Sequence, residues 1–257
     1  MSFLSDLTGD YAPKGSFLKL LRMQWRFAIR EPLGLGMGII FPVLLLIVFG
    51  LIGRAVGGDF SGLSLFDLYV PTIMVIGIIS IALYSVPFTL VRDREIGWLR
   101  RVSTTPLSPQ KLLMSLLIVN LIFGVFTIII TLIGSIYFFG APLNINVFYF
   151  AISILLTVFT MFSLGLLVAA ISPTQRFAQM LIGTLFYPLL FLSGLWVQPA
   201  MVGDPLKSIM YYSPAGAATR SILYSVFNTP PPYLELVAMV AYSVLFGALA
   251  VRYFRWQ

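Results

Sequence analysis

The sequence predicts an all-α integral membrane protein with six transmembrane helices, and three observations carry the prediction. Of its 257 residues only 16 are Lys or Arg and 9 are Asp or Glu, where a soluble chain of this length carries roughly 64 charges. Hydrophobic residues make up 59% and mean hydropathy is +0.98, more apolar surface than so few polar groups can screen from water. The charges also punctuate long uncharged runs, most of them long enough for the about 20 residues that a helix needs to cross the hydrocarbon core. Intrinsic disorder is excluded, because it requires low hydrophobicity and high net charge.

The first element is an amphipathic helix over residues 13–30. At about 100° per residue, Lys19, Arg22, Arg26 and Arg30 fall within about 80° of one another, and Phe17, Leu20, Leu21, Trp25, Phe27 and Ala28 gather opposite. Such a helix lies in the headgroup plane, cations toward lipid phosphates and aromatics toward acyl chains. Glu31-Pro32 breaks it, since a residue before proline is driven out of helical geometry. Residues 1–31 therefore form an N-terminal segment, and residues 32–257 the membrane domain. Residues 1–15 are polar and mixed in charge, so no cleaved leader is expected.

The spans follow from the charge-free runs. Pro32–Gly53 is 22 residues, Leu68–Val91 is 24 and Leu112–Gln175 is 64. The last is too long for one crossing at 1.5 Å per residue, and Gly140-Ala141-Pro142 near its middle is a turn signal that divides it in two. Phe177–Gly203 is 27 residues, interrupted by Pro199, and Leu236–Val251 is 16, reaching spanning length with Tyr233, Leu234 and Tyr253 in the interfaces. The predicted spans are about 33–53, 68–90, 112–139, 146–171, 177–196 and 233–254. Gly34-x-x-x-Gly38 and Gly53-x-x-x-Gly57 permit close helix approach, but a chain with 21 glycines contains such pairs by chance.

An even number of spans leaves both termini on one side. If that side is the cytoplasm, inner segments hold 13 Lys and Arg and outer segments three, Arg54, Lys207 and Arg220, as the positive-inside rule requires. The basic balance is thus topology, and no nucleic-acid partner is expected. Arg54, Arg220 and Glu235 read as anchors at the outer interface. Absent Cys and His exclude thiolate and imidazole catalysis and the common zinc sites. No charge falls mid-span, which argues against a proton- or ion-coupled pathway.

Between the second and third predicted spans lies a segment richer than a connector needs to be. Residues 91–109 read Val-Arg-Asp-Arg-Glu-Ile-Gly-Trp-Leu-Arg-Arg-Val-Ser-Thr-Thr-Pro-Leu-Ser-Pro, six charges of both signs with Ile96, Trp98, Leu99 and Val102 interleaved. By content it is either a short amphipathic docking helix or a solvated charged loop. Ser108-Pro109 reads as a cap and first-turn proline opening the third span.

Arg94-Glu95-Ile96-Gly97-Trp98-Leu99-Arg100-Arg101, with Thr105-Pro106-Leu107-Ser108 after it, resembles a conserved segment of the membrane subunit of type-2 ABC exporters. That class includes bacterial drug-resistance permeases, its nearest members, and polysaccharide exporters. Trp98 stands where the family more often has a small residue. Arg30-Glu31-Pro32 is similar to the family's break before the first span. Leu192-Ser193-Gly194-Leu195-Trp196 and Tyr212-Ser213-Pro214 are similar to its stretch around a helical hairpin that re-enters the outer leaflet before the last span. The resemblance implies a multi-pass permease of the cytoplasmic (inner) membrane. It implies pairing with a second copy or a paralogous permease, and two separate ATP-binding subunits that hold ATP and magnesium. The coupling contacts it implies are Arg92, Asp93, Arg94, Glu95, Gly97, Trp98, Leu99 and Arg101, beside the interfacial Lys19, Arg22, Trp25, Arg26 and Arg30. No G-x-x-x-x-G-K-[ST] occurs, so this chain has no P-loop of its own, and it is not expected to be an enzyme or to bind a cofactor.

Two further groups are candidates. Tyr84, Phe88, Met180, Phe186 and Tyr187 would suit an amphiphilic substrate, though such side chains equally serve packing or face lipid. Gly194, Trp196, Pro199 and Pro214 punctuate an outer segment that is either a re-entrant gate, since irregular backbone at membrane depth needs shelter, or a hairpin lying on the surface. The competing functions are a secondary transporter or channel, which lacks evident inverted repeats here, and an intramembrane lipid-modifying enzyme, which lacks convergent acid–base groups beyond Asp93 and Glu95.

Overall fold

A computed structural model describes residues 16–56, 59–60, 63–97 and 109–253. They form nine helices, α1–α9. The first are α1 (Ser16–Arg30) and α2 (Pro32–Leu35, a π turn Gly36–Ile40, then Phe41–Val56). A two-residue antiparallel pairing follows, β1 (Asp59–Phe60) with β2 (Leu63–Ser64). The long helix α3 comprises Leu65–Ser80, a π turn Ile81–Ser85 and Val86–Glu95. Then come α4 (Pro109–Ile133, ending in a π turn Gly134–Phe138), α5 (Val147–Ile171) and α6 (Gln175–Leu192). A 3-10 turn (Pro199–Met201), α7 (Asp204–Tyr212), α8 (Pro214–Val226) and α9 (Tyr233–Tyr253) complete the chain.

Local chemistry explains the boundaries. Ser64 and Asp67 form a reciprocal capping box on α3, the Asp67 amide donating to Ser64 Oγ at 3.2 Å and the Ser64 amide to Asp67 Oδ2 at 2.8 Å. Asn146 and Thr174 accept the amides of Tyr149 and Phe177 to cap α5 and α6. Gly140, at φ 71°, turns the chain between α4 and α5 where the Gly-Ala-Pro signal falls.

Among the described residues five helices are long and apolar enough to cross a membrane: Leu33–Ala55, Phe66–Glu95, Lys111–Phe138, Val147–Ile171 and Tyr233–Tyr253. These match five of the predicted spans and establish an all-α membrane protein. The other, predicted over 177–196, is the 18-residue α6. It opens on Gln175-Arg176 and ends at Leu192, so residues 193–196 are turn and not helix. The cause is Gly194 at φ 89°: the Gly194 amide donates to Phe191 O at 3.0 Å and the Leu195 amide to Leu190 O at 3.2 Å, a Schellman closure that only glycine adopts without strain.

α3 is the centre of the fold. Of its apolar stretch 89% is buried, against 17% for α9 and 22% for α2. α2, α4, α5, α6 and α8 all pack on it, and its Ile73–Ile79 segment is fully enclosed. Close approach needs missing side chains. A Cβ on Gly38 would sit 2.6 Å from Ile81, and one on Gly165 would sit 2.2 Å from the Ala82 carbonyl oxygen. The Gly34/Gly38 spacing, discounted above, therefore does place α2 against α3. The π turns of α2 and α3 meet at this contact, and Thr127 Oγ1 of α4 donates to Gly38 O at 2.9 Å, satisfying a carbonyl where no water reaches.

Replacing Gly165 by Ala drives a methyl into backbone, and we expect a loss of about 1–3 kcal/mol or more. Gly183→Ala meets nothing within 4 Å and should be neutral or gain up to about 1 kcal/mol. Thermal unfolding in detergent distinguishes them: a lower Tm for the first and an unchanged or higher Tm for the second.

Candidate functional site

The cytoplasmic site predicted from the charge pattern gathers at the end of α3. Arg92 and Arg94 fall in its last turn, where cations complement the helix dipole. The Ile96 amide donates to Arg92 O and the Gly97 amide to Arg94 O, both at 3.0 Å. Gly97, at φ 69° with open space around it, then turns the chain away.

Each charge of this stub has a structural partner. Arg94 donates to Ser172 O, and to Ala169 O at 3.5 Å, which are among the last carbonyls of α5. Glu95 Oε1 accepts the Gln175 amide at 3.0 Å, the first N–H of α6. A cation thus closes one helix C-terminus and an anion one N-terminus, the pairing that both dipoles favour. Beside them lies an open groove of about 600 Å³, lined by Arg94, Glu95, the Ala170–Pro173 turn and Tyr253. Trp98, Leu99, Arg101 and the remainder of the predicted docking segment through Ser108 lie outside the described residues.

Glu31, which marked only a helix break in the sequence, belongs to the same site. It is 7% exposed, accepts from Thr89 Oγ1 at 3.2 Å and stands 4.0 Å from Arg92, whose Nε is 3.5 Å from buried Asp93. Glu31 Oε1 has no hydrogen bond among the described residues. Burial raises the Glu31 carboxyl above its ordinary value; Arg92 and the Thr89 hydroxyl pull it back, and Asp93 adds to the rise. The signal was available: an acid beside a proline where an apolar run begins.

α1 is docked on α4 rather than free in the interface. Trp25 stacks on Phe123 at 5.0 Å and 10°, and Leu20 and Gln24 are buried. Lys19, Arg22, Arg26 and Arg30 are exposed, as predicted, along a shallow groove of about 350 Å³. Phe27 corrects the periodicity reading. It lines this groove among the cations, with Arg92 6.0 Å from its ring.

At the opposite end, Gly194 and Pro199 abut, a Cβ on Gly194 lying 3.1 Å from Pro199. Pro214 opens α8 after Ser213, whose Oγ accepts the Gly216 amide at 3.0 Å. Trp196 is 62% exposed and apart from them. α8 runs from the end of α6, where a Cβ on Gly216 would strike the Leu192 and Met210 carbonyls, to the start of α5, where the Asn144 and Asn146 amides reach Val226 O and Ser225 O. Arg220 and Glu235, expected as separate anchors, lie together. They pair, Glu235 is 1% exposed, and the guanidinium lies 4.0 Å over Tyr211. The pair fastens α8 to α9.

The aromatic candidates divide. Phe186 is core, edge-on to Tyr84 at 5.2 Å and tilted against Phe41 at 6.1 Å. Phe88 is half-buried. Met180 and Tyr187, two turns apart on one face of α6, are 61% and 64% exposed.

The family model described as ABC-2 type transporter matches residues 16–227. No curated protein matches the chain.

The raised Glu31 carboxyl yields a pH test. A group that binds its proton more tightly when folded favours the folded state at low pH, and its penalty grows as pH rises from the ordinary value of 4.5 through the folded one. Glu31→Gln should therefore raise Tm above that of the native chain at pH 8, and the difference should vanish near pH 4. Melting curves across that range check it.

Proposed function

Because the chain belongs to the ABC-2 type transporter family and is a membrane-spanning transport subunit of an ABC transporter, we propose that it is one half of an ATP-driven exporter of the cytoplasmic membrane, both termini inside. The other half is a second copy or a paralogous permease. Two cytosolic ATP-binding subunits, each holding ATP with magnesium, supply the energy.

The observation that carries this reading is the wiring of the stub at Arg92–Gly97. It ends the most enclosed helix and caps both α5 and α6, so a partner that grips it grips three helices at once. Glu31 connects the same stub to the break between α1 and α2. When ATP draws the two ATP-binding subunits together, the stubs follow and the helices rock about the central path.

The path and its outer gate complete the cycle. Met180 and Tyr187 on exposed α6 face the path between paired halves, backed by Tyr84 and Phe186, and apolar rings there suit an amphiphilic cargo: drug-like, lipid or lipid-linked glycan. At the far end α8, 13 residues or about 20 Å long, is too short for the about 30 Å core. It dips beside α5, with Ser153 Oγ reaching Ser221 O at 3.2 Å, and returns. Re-entry places Gly194, Trp196, Pro199 and Pro214 at the exit.

The test is co-expression with the cognate ATP-binding subunit. Gly97→Pro cannot take φ 69° and loses the amide bond to Arg94 O. Glu95→Ala removes the α6 cap. Both variants should insert normally, lose ATP-dependent export of an amphiphilic dye and retain about tenfold less ATP-binding subunit on purification. Undiminished co-purification in both refutes the docking.

A further inference from the structure

An apolar groove of about 330 Å³ runs between α2 and α4. Val43, Leu46 and Ile47 form one wall, and Ile130, Ile133 and Phe138 the other. The groove exists because two glycines let side chains lie flat. Gly134 admits Leu46, and Gly50 admits the Phe139 ring, each within 2.4 Å of where a Cβ would stand. Its floor is buried Leu46, while Ile47, Ile133 and Phe138 open it to the exterior at 44%, 48% and 70% exposure.

One end carries a cation. Arg54 is exposed, lies 5.1 Å over the Phe139 ring and donates one N–H to Phe138 O. Its guanidinium has five N–H groups in a fork suited to phosphate. The other cations predicted on this side are engaged elsewhere, Lys207 against Tyr211 and Arg220 with Glu235. Dimensions then select the occupant. Val43 and Arg54 lie eleven residues apart on one helix, about 16 Å, and half of an about 30 Å hydrocarbon core is about 15 Å. The groove begins near the bilayer midplane and finishes, at its charged mouth, near the headgroups.

We propose that this groove seats one acyl chain of a phospholipid from the leaflet on the Arg54 side, with its phosphate on the Arg54 guanidinium. The site is built from the α2 and α4 walls alone. It is independent of ATP coupling and of which face of the membrane is cytoplasmic.

The test reconstitutes the full chain into phosphatidylcholine vesicles carrying a minor fraction of phosphatidylglycerol with a mid-chain diazirine. After illumination, adducts should concentrate on residues 43–47 and 130–138, over the equally exposed Val237, Val240 and Val244 of α9. Arg54→Gln should lower groove adducts about fivefold and leave those on α9 unchanged, while Arg54→Lys retains most of them. Ile133→Trp, which fills the groove and leaves the cation, should also lower them. Equal labelling of both faces, or groove labelling indifferent to Arg54→Gln and Ile133→Trp, overturns the proposal. So does a ready disulfide between two copies carrying Ile47→Cys, which would make the groove an interface between copies; the native chain has no cysteine to confuse that result.

Discussion

The enclosure of α3 sets the terms for everything around it. A helix that is apolar on all sides and covered by five neighbours cannot shift without repacking each of them. The neighbours come close where a side chain is missing, as at Gly38 of α2 and Gly165 of α5. Backbone groups loosened by the facing π turns must also find partners inside the protein, because lipid offers none. Thr127 supplies one. From Phe66 to Glu95 the member is 30 residues, about 45 Å of nearly continuous rod.

The rod is tied to α6 at each end. Near its first end Thr72 Oγ1 reaches the carbonyl of Ser193 at 3.5 Å, the residue at which α6 stops. At its last turn Arg94 and Glu95 hold the junction of α5 and α6. α6 is therefore tied to α3 above and below, and carries the exposed Met180 and Tyr187 between the two ties. Among the buried carboxylates, which carry a cost in desolvation, are Glu31 where α1 gives way to α2 and Glu235 where α8 meets α9. Each is paired with an arginine on a different helix, so the charges fix the relations between helices.

Much of this was legible in the residues. Charge-free runs located five helices to within a few positions, because the thickness of a bilayer leaves little freedom in length. The Gly-Ala-Pro turn and the helix start at Pro109 were read correctly. The end of α6 was misplaced because Gly194 closes the helix while the sequence stays apolar through Trp196. The pairing of Arg220 with Glu235 was invisible, since fifteen residues of chain separate the partners and only tertiary packing joins them. Glu31 was seen as a boundary and not as a site, because its partners Thr89 and Arg92 lie about sixty residues on. The stub at 92–97 was found by its composition, whereas its capping of α5 and α6 depends on a helix–helix junction that no local pattern encodes.

The central claim is that a cytosolic motor subunit holds the stub at the end of α3. Ile96 is 64% exposed there and the chain has no native cysteine, so Ile96→Cys gives a single reporter. In membranes holding both subunits, a short bifunctional thiol reagent should join that cysteine to the ATP-binding subunit, in a yield that changes when nucleotide is added. Modification of the same cysteine from the external face by a membrane-impermeant maleimide, with no adduct to the motor subunit, would contradict the account.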